Sequence, residues 1–505
     1  MKRRSAIKTL AGAMIAPAFL RGASLAAPPR SKPNLLFIIC DELRYDSMAA
    51  YGNRMLRVPN LNKLAGESVV YKNAYVSQPV CTPSRSTLLT GLWPHSNGCT
   101  ANNIPLKPSA RCLPQLLDDP RYRTAYYGKW HLGDEVFPQH GFEEWISIED
   151  MYRHHYSAGR DQNAKSSYWH YLDDLGYRPG KDGFFSRNFA RGLAFEHSKL
   201  FFLQKKACEF LDQYHGNPSV LYVSFLAPHM PFTGPFNALC NPEEYNPYGL
   251  YLPSNMDALP GPDDPLRYRL LQASMKRSAE AWRKVTANYW GLITEIDLSV
   301  GMILKRLEDL GLVENTLVVF TTDHGDMMAS HGMIAKTVMY QEAVRVPLIM
   351  RVPWVEKAGR VVTEPVSDID IVPTVLDLLG KAPPHNLQGS SVRDVIEGKI
   401  PAKDVFIEWS PQNESWKADA PDSIKGVSPE ARKRAAGAHI RTVITPEGWK
   451  LCWCDQDKSQ LFNLRDDPGE TRNLFYSGRH RDVISSLTEK IRRWQQATGD
   501  SVKLG

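Results

Sequence analysis

The sequence contains no apolar run long enough to cross a membrane. A transmembrane helix needs about 20 consecutive apolar residues, and the 505-residue chain has no such stretch. No internal repeat or low-complexity tract stands out. The 43% hydrophobic content is ordinary for a globular protein, and the length suits one large domain with a smaller one. We therefore expect no integral membrane segment in the mature chain.

Cysteine pairs at zinc-binding spacing are also missing. The eight cysteines include no C-x-x-C pair of the kind that holds zinc. They are Cys40, Cys81, Cys99, Cys112, Cys208, Cys240, Cys452 and Cys454. Disulfide pairing remains open if the mature protein occupies an oxidising compartment. If Cys81 has a chemical role, seven cysteines remain and at least one of them is unpaired.

Residues 1–27 have the composition of an export signal. The segment begins with basic residues, continues through a modest apolar stretch and ends with small residues near Ala26 and Ala27. Arg3 and Arg4 resemble the paired arginines of the bacterial twin-arginine signal. A native amphipathic helix is the alternative interpretation. We expect the chain to be exported to the periplasm or the extracellular space, by the twin-arginine route.

Most of the net positive charge of the chain lies in residues 1–27 and is lost if that segment is removed. Residues 1–27 hold five basic and no acidic side chains, so 61 − 5 = 56 basic residues face 55 acidic ones. The formal net charge therefore falls from +6 to +1. A nearly neutral mature protein gives no reason to infer a nucleic-acid partner.

Three apolar, β-branched runs end in acidic or imidazole side chains. NLLFIICDE reaches Asp41, SVLYVSFLAPH reaches His229, and NTLVVFTTDHGD reaches Asp323 and His324. Continuous apolar runs of this length are typical of strands that are buried on both faces of a parallel sheet. Since sites in open parallel sheets form beyond the carboxyl ends of the strands, we expect these side chains to meet at one sheet edge.

Segments with helical periodicity separate these strands. PNLNKLAGES and ANYWGLITEIDLSVGMILKRLEDLG predict helices, and the second ends at Gly311, a residue suited to a helix C-terminus. DIDIVPTVLDLLG predicts another helix that closes at Gly380. Residues 145–215 and 240–280 are rich in aromatics, proline and charge. They predict insertions over the sheet edge, where loops shape specificity.

These patterns predict an α/β fold with a large, mostly parallel (mixed) sheet sandwiched by helices. After about residue 389 the pattern changes to short antiparallel strands, such as GWKLCWC and QLFNL, and a terminal helix. We expect an α/β catalytic domain over residues 28–389 and a smaller C-terminal α+β subdomain over residues 390–505, carrying an antiparallel sheet.

The stretch PVCTPSRSTLLTG, Pro79–Gly91, holds the least ordinary pattern of the chain. It leaves three interpretations open for Cys81: a nucleophile, half of a disulfide or a metal-binding thiolate. Pro83 fits the first turn of a helix, with Thr82 near the cap. Cys81 then lies at a helix N-terminus, which favours an anion, and Arg85 lies about one turn further on the same face.

This stretch resembles the signature of the sulfatase family, within the alkaline phosphatase superfamily. The signature is C-x-P-x-R followed by two apolar residues, Thr and Gly, and Pro79–Gly91 matches it at every position. YRTAYYGKWHLG is similar to a second family signature, and APHMPF, TTDHGD and HGMIAKTVMYQEAVRVPLI are similar to further family segments. The resemblance covers most of residues 33–380 and, weakly, the tail.

The resemblance implies a specific nucleophile and metal. In sulfatases the signature cysteine is oxidised after synthesis to formylglycine, whose hydrate is the nucleophile, and a divalent cation lies beside it. Carried onto this chain, Cys81 is the formylglycine precursor and a metal contact. Asp41, Asp323 and His324 are metal ligands, and Glu42 either binds the metal as a fourth residue or turns away. Carboxylate oxygens suit calcium, and the imidazole widens the choice toward manganese or another divalent cation.

The resemblance also assigns the remaining catalytic side chains. Arg85 would hold the nucleophile and neutralise its charge. Lys129, Lys336 and His229 would bind the sulfate oxygens, and one of the last two would protonate the leaving alcohol. His131 would act as the base that expels sulfate and restores the aldehyde.

The sequence thus predicts an exported, calcium-dependent hydrolase of sulfate esters, a sulfuric ester hydrolase. Export favours sulfated carbohydrates as substrates, and a formylglycine-generating maturation enzyme is the implied partner. Two other enzymatic activities remain open: a phosphonate or phosphate mono- or diesterase using the same site, and a choline-sulfatase-like activity on a small ester. A binding protein with a dead site is the non-enzymatic alternative.

Overall fold

The computed structural model describes the chain from residue 32 onward, with short gaps. The described residues are 32–240, 253–275, 277–355, 359–397, 399, 403–412, 424 and 426–504. The predicted export signal, residues 1–27, lies outside them. No helix of these ranges combines the length and the apolarity that crossing a bilayer requires.

The described residues form thirteen strands and fourteen α-helices. The strands are β1 (Asn34–Asp41), β2 (Val69–Tyr75), β3 (Arg123–Gly128), β4 (Glu144–Ile146), β5 (Ser219–Pro228), β6 (Thr316–Thr322), β7 (Arg345–Arg351), β8 (Val361–Val362), β9 (Val366–Ser367), β10 (Val405–Trp409), β11 (Ile440–Ile444), β12 (Trp449–Cys454) and β13 (Gln460–Asn463). The helices are α1 (Pro59–Gly66), α2 (Cys81–Thr90), α3 (Pro94–Asn97), α4 (Leu113–Leu117), α5 (Ser167–Asp174), α6 (Arg187–Arg191), α7 (Lys199–Tyr214), α8 (Leu266–Ser274), α9 (Ala279–Asp309), α10 (Gln341–Val344), α11 (Ile371–Leu378), α12 (Arg393–Glu397), α13 (Pro429–Gly437) and α14 (Arg481–Thr498).

The three predicted apolar strands lie side by side at the centre of one sheet. β1 pairs in parallel with β5 on one side and with β6 on the other. The full strand order is β4-β3-β5-β1-β6-β7-β2-β8, with β9 also paired to β2. β7 runs antiparallel to both of its neighbours. The prediction of a mostly parallel, mixed sheet is therefore confirmed.

Both faces of this sheet are buried, as the unbroken apolar runs predict. Along β1, Leu35 and Phe37 enter one hydrophobic cluster, whereas Leu36 and Ile38 enter another. Residues of α2, α4 and α11 belong to the first cluster, and residues of α1, α7 and α9 belong to the second. The helices thus cover the sheet on both sides.

The C-terminal residues form the predicted antiparallel sheet, in the order β10-β11-β12-β13. One face contributes Ile407 and Cys452 to the same cluster as the first face of the large sheet. The other face places Val443 and Leu451 against Ile491 of α14. The existence of this sheet is confirmed, and the boundary at residue 389 stays a prediction.

The long helix α9 extends beyond the predicted segment at its N-terminus. It begins at Ala279, where the hydroxyl of Ser278 accepts a hydrogen bond from the backbone N–H of Ala281. This serine cap satisfies a helix donor that lacks a partner within the helix. At the other end Gly311 has φ +67°, so glycine terminates the helix as the sequence predicts.

Candidate active site

The polar residues that follow the parallel strands meet at the carboxyl edge of the large sheet. Asp41 is the last residue of β1, and Asp323 and His324 directly follow β6. Lys129 follows β3, and His229 follows β5. This convergence is what the strand pattern predicts, because parallel strands deliver their C-termini to one edge.

Cys81 reaches the same edge at the start of α2. The helix begins at Cys81 itself, after Val80 in an extended conformation, and no side chain caps it. Val80 is therefore the N-cap, and Thr82 lies near it, at the second position of the helix. The hydroxyl of Thr82 donates to the carbonyl of His131 at 2.8 Å and so ties α2 to the loop after β3.

Cys81 lies against two of the predicted metal ligands. Its Sγ is 3.2 Å from Nε2 of His324 and 3.8 Å from Oδ1 of Asp41. Burial, with a further contribution from Asp41, raises the pKa of the Cys81 thiol to about 11. A thiol with such a pKa is protonated at neutral pH and is a poor nucleophile. Cys81 is a free cysteine, so it is not half of a disulfide.

Arg85 connects the two carboxylates beneath Cys81. Its Nε donates to Oδ2 of Asp323 at 2.8 Å, and Nη2 lies 3.4 Å from Oδ2 of Asp41. Nη1 donates to the carbonyl of Lys129 at 2.9 Å and to the hydroxyl of Ser224 at 2.8 Å. The side chain of Arg85 is 1% exposed. A charge buried this deeply requires such pairing.

Four buried side chains form a group of the size that a metal ion requires. The group consists of Asp41, Cys81, Asp323 and His324, and one donor atom from each lies within 4.8 Å of the others. Nδ1 of His324 lies 2.9 Å from the carbonyl of Gly325. A proton on Nδ1 leaves Nε2 bare as a metal donor, the arrangement that metal-binding histidines use. Two carboxylates and one imidazole fit a divalent cation.

Glu42 lies in a second group, with Asp41 and His229. Its Oε2 is 3.0 Å from Nζ of Lys336 and 3.5 Å from Nε2 of His229. Within the described part of the chain, its buried Oε1 has no hydrogen-bond partner. Glu42 also has φ +72°, a left-handed conformation that is uncommon for a residue other than glycine. Burial raises the pKa of this carboxyl to about 7.

The two site lysines are paired with acids and remain charged. Nζ of Lys129 forms a short contact with Asp41, and Lys336 pairs with Glu42. Burial alone would lower the pKa of each ammonium. The attraction of Asp41 raises the pKa of Lys129, and Cys81 and Glu42 raise that of Lys336.

His131 and His229 are neutral, because burial and nearby cations disfavour the protonated imidazole. Burial, followed by Lys129, lowers the pKa of His131 well below its usual value. Burial, followed by Lys336, does the same to the pKa of His229. Nε2 of His131 lies 2.9 Å from Oδ1 of Asn103, whereas Nδ1 has no partner among the described residues. His131 therefore offers a bare imidazole nitrogen.

Three supporting residues escape sequence reasoning. Both carboxylate oxygens of Glu135 accept backbone hydrogen bonds, from Trp130 at 2.9 Å and from His131 at 2.6 Å. The ring of Tyr152 stacks on that of His131 at 4.0 Å. Ser224 binds Arg85, as described above, and only Ser224 leaves a signal in the sequence: a polar residue that interrupts the apolar run of β5.

Comparisons with known proteins identify the family of the chain. A family model described as Sulfatase matches residues 33–381. The chain is 29% identical to an ulvan-active sulfatase of Formosa agariphila, over 94% of this chain and 83% of the relative. It is 26% identical to an N-acetylglucosamine-6-O-sulfatase of Bacteroides thetaiotaomicron, over 95% and 90% of the two chains.

Solved structures share the fold. A phosphonate monoester hydrolase from Silicibacter pomeroyi superposes with a TM-score of 0.74 at 24% identity, over 93% of this chain and 96% of the other. A protein solved in complex with its substrate D-glucosamine-2-N,6-O-disulfate gives a TM-score of 0.70 at 21% identity, over 93% and 99%.

The family model and the curated relatives place the chain among the hydrolases of the alkaline phosphatase superfamily. Within that class the chain belongs to the sulfatase family, and it is a sulfuric ester hydrolase.

Proposed function

We propose that this protein hydrolyses sulfate esters of carbohydrates, using a formylglycine made from Cys81 and a divalent cation, with calcium as the first choice. The observation that carries the proposal is the buried group of Cys81 with Asp41, Asp323 and His324 at the start of α2. Two of the curated relatives are named for sulfated saccharides, ulvan and N-acetylglucosamine-6-O-sulfate.

Asp41, Asp323 and His324 would hold the cation, with the side chain at position 81 as a further contact. Glu42 would join them through its unpartnered Oε1. Carboxylate oxygens suit calcium, and the imidazole also accommodates manganese. A bound cation would screen the charge of the sulfate ester and lower the pKa of an oxygen nucleophile beside it.

Metal removal is expected to lower both activity and stability. Calcium at about 100 times its dissociation constant adds about 2.7 kcal/mol to the free energy of unfolding, so a chelated sample should melt at a lower temperature and recover with calcium. Asp323→Asn should lose most of this calcium-dependent shift. Asp309→Asn, which alters an exposed carboxylate at the end of α9, is the matched control. If the melting temperature of the wild type changes neither with chelator nor with calcium, the proposed metal site is contradicted.

The chain would prepare and hold the nucleophile with residues already in contact. Conversion of Cys81 to the aldehyde would be a two-electron oxidation in which oxygen replaces the sulfur and two hydrogens and the sulfur leaves as sulfide. An external maturation enzyme, with dioxygen as the oxidant, would carry it out. The hydrated aldehyde supplies an oxygen nucleophile whose second hydroxyl allows sulfate to be expelled. Arg85 and the N-terminus of α2 would stabilise negative charge at this position, since the guanidinium already spans Asp41 and Asp323.

Charge states divide the proton-transfer roles. Lys336 carries a proton and lies 3.0 Å from Glu42, so we assign it the donation of a proton to the leaving alcohol. His229 is neutral and also contacts Glu42. It would bind a sulfate oxygen through a ring N–H, beside the ammonium of Lys129. His131, neutral with a bare Nδ1, has the state that a general base requires.

Three further parts of the proposal concern the whole chain. Residues 1–27 would direct export to the periplasm or the extracellular space, where polymeric carbohydrates are accessible. A formylglycine-generating enzyme would act before or during export, and no nucleic acid is expected as a partner. Residues 28–389 would form the catalytic domain, and residues 390–505 would form the smaller subdomain.

Parallel assays of one enzyme preparation test the substrate class. We expect kcat/KM for an aryl sulfate and for sulfated saccharides to exceed that for a phosphonate monoester and a phosphodiester by at least about tenfold, a difference of about 1.4 kcal/mol in transition-state binding. Choline sulfate serves as the small-ester comparison. Higher efficiency on the phosphorus esters, or on choline sulfate than on any saccharide, contradicts the proposal.

A further inference from the structure

A cleft of about 770 Å³ opens directly beside the candidate active site. His229, which contacts Glu42 in the site, lines its inner end. Most of its remaining wall comes from the insertion between β4 and α7. That insertion also supplies Tyr152, which stacks on His131. The cleft is therefore continuous with the residues that we assign to sulfate binding, and its size is that of a small-ligand pocket.

Arg153 in this wall forms no ion pair with any acid of the described residues. Its guanidinium lies over the ring of Phe184 at 4.0 Å, and Nζ of Lys165 lies 3.2 Å from the centre of the same ring. Neither cation forms an ion pair with a carboxylate of the described ranges, whereas Arg187 and Lys199 in the same wall both pair with Glu149. Nζ of Lys165 also donates to the carbonyl of Gly183 at 3.0 Å, and the carboxylates of Asp150 and Asp182 lie in the same wall. Arg153, which has no ion pair within the described ranges, is therefore the side chain in this wall that an anion would pair with.

Large apolar side chains line the same cleft as Arg153 and remain exposed. Met151 is 52% exposed, Phe189 is 37% exposed and Met230 is 38% exposed, and all three line the cleft. Exposed apolar side chains that cluster around a cleft mark a binding surface. An aromatic ring and thioethers can cover the apolar face of a sugar ring, while a cation recognises its charged substituent.

We propose that this cleft binds the sugar ring next to the one that carries the scissile sulfate, with Arg153 holding a second oxyanion on that neighbouring ring. The inference rests on the proposed function and narrows its substrate class to saccharides with at least two anionic groups. Phe184 fixes one face of the guanidinium, and its N–H edges are then oriented toward an oxyanion, the arrangement for which arginine is better suited than lysine.

The test compares Arg153→Gln with a closely matched control, Arg160→Gln. Arg160 belongs to the same insertion and also lies over a phenylalanine ring, Phe137 at 4.6 Å, but it faces Asp134 at 3.5 Å and does not line the cleft. The substrates are an aryl monosulfate and a matched pair of disaccharides, with one and with two sulfates. Binding of the disulfated disaccharide to Cys81→Ala, with and without Arg153→Gln, is measured by calorimetry.

We expect Arg153→Gln to raise KM for the disulfated disaccharide about tenfold, which corresponds to about 1.4 kcal/mol, and to leave kcat unchanged. The dissociation constant in the Cys81→Ala background should rise by the same factor. KM for the aryl monosulfate and the monosulfated disaccharide should change less than about twofold. Arg153→Lys should recover part of the loss, and Arg160→Gln should behave as the wild type.

Each remaining outcome contradicts the subsite. It fails if the disulfated disaccharide binds Arg153→Gln normally, if both arginine variants lose affinity equally, or if KM for the aryl monosulfate rises to the same extent. Sulfatase activity on the aryl monosulfate persists in all three cases, so the failure of the subsite is separable from that of the proposed function. A wild type that turns over no sulfate ester contradicts both.

Discussion

Cys81→Ala is expected to lower kcat for sulfate esters by about 10⁴-fold or more, the scale of loss when a covalent nucleophile is removed. The variant cannot form the aldehyde, and no neighbouring side chain offers the same chemistry, because the pKa values of Lys129 and Lys336 are raised and both amines stay protonated. Removing one small buried side chain should cost about 1–3 kcal/mol of stability. Turnover and thermal unfolding of the same sample measure the two effects separately.

Cys99→Ala is the matched control for this variant. Cys99 is also fully buried and also a free cysteine, so its replacement reproduces the packing loss without touching the nucleophile. We expect Cys99→Ala to retain kcat within a few-fold of the wild type at a similar stability cost. Cys81→Ala with more than a tenth of wild-type turnover would show that another group attacks the ester.

Arg85→Ala is expected to lower kcat by about 10³-fold and to destabilise the fold by about 3–5 kcal/mol. The substitution leaves Asp41 and Asp323 without their shared buried guanidinium. It also removes the hydrogen bonds to the carbonyl of Lys129 and to Ser224. Arg85→Lys retains one charge but cannot reproduce this planar set of contacts, so its kcat should lie between those of Arg85→Ala and the wild type.

Arg441→Ala separates the stability effect from the catalytic one. Arg441 is equally buried, and its Nε and Nη2 bind the two carboxylate oxygens of Asp500 at 2.7 Å and 3.0 Å. It lies in β11, in the C-terminal sheet. We expect Arg441→Ala to lower the melting temperature comparably while the folded enzyme keeps its kcat. If Arg85→Ala and Arg441→Ala lose kcat to a similar extent, the role of Arg85 is structural and not catalytic.

The large sheet and much of the candidate site could be predicted from local patterns. Each apolar run identifies a buried parallel strand by itself, before its neighbours in the sheet are known, and its last residues identify the sheet edge. Asp41, Asp323 and His324 are found in this way. The place of Cys81 at a helix start follows from Pro83 and the apolar residues after it, although the helix begins at Cys81 without a side-chain cap.

The supporting contacts could not be predicted, since they join residues that are distant in sequence or hidden in irregular segments. The carboxylate of Glu135 accepts hydrogen bonds from backbone N–H groups of the loop that holds His131. No residue pattern specifies such a contact. Tyr152 and Arg153 belong to an insertion whose path depends on packing against the rest of the chain. The orientation of Glu42 likewise depends on Lys336, almost 300 residues away in the sequence.

Mass spectrometry of the tryptic peptide that spans residues 73–85 shows directly whether Cys81 is converted to formylglycine. The protein should be produced with a formylglycine-generating enzyme and assayed from the same preparation. We predict that position 81 carries an aldehyde or its hydrate. The aldehyde is lighter than cysteine, because one oxygen replaces one sulfur and two hydrogens, whereas the hydrate has two oxygens in place of the sulfur and nearly the mass of cysteine. Turnover should rise in proportion to the converted fraction. An active preparation in which Cys81 remains entirely a thiol would contradict the proposal that formylglycine is the nucleophile.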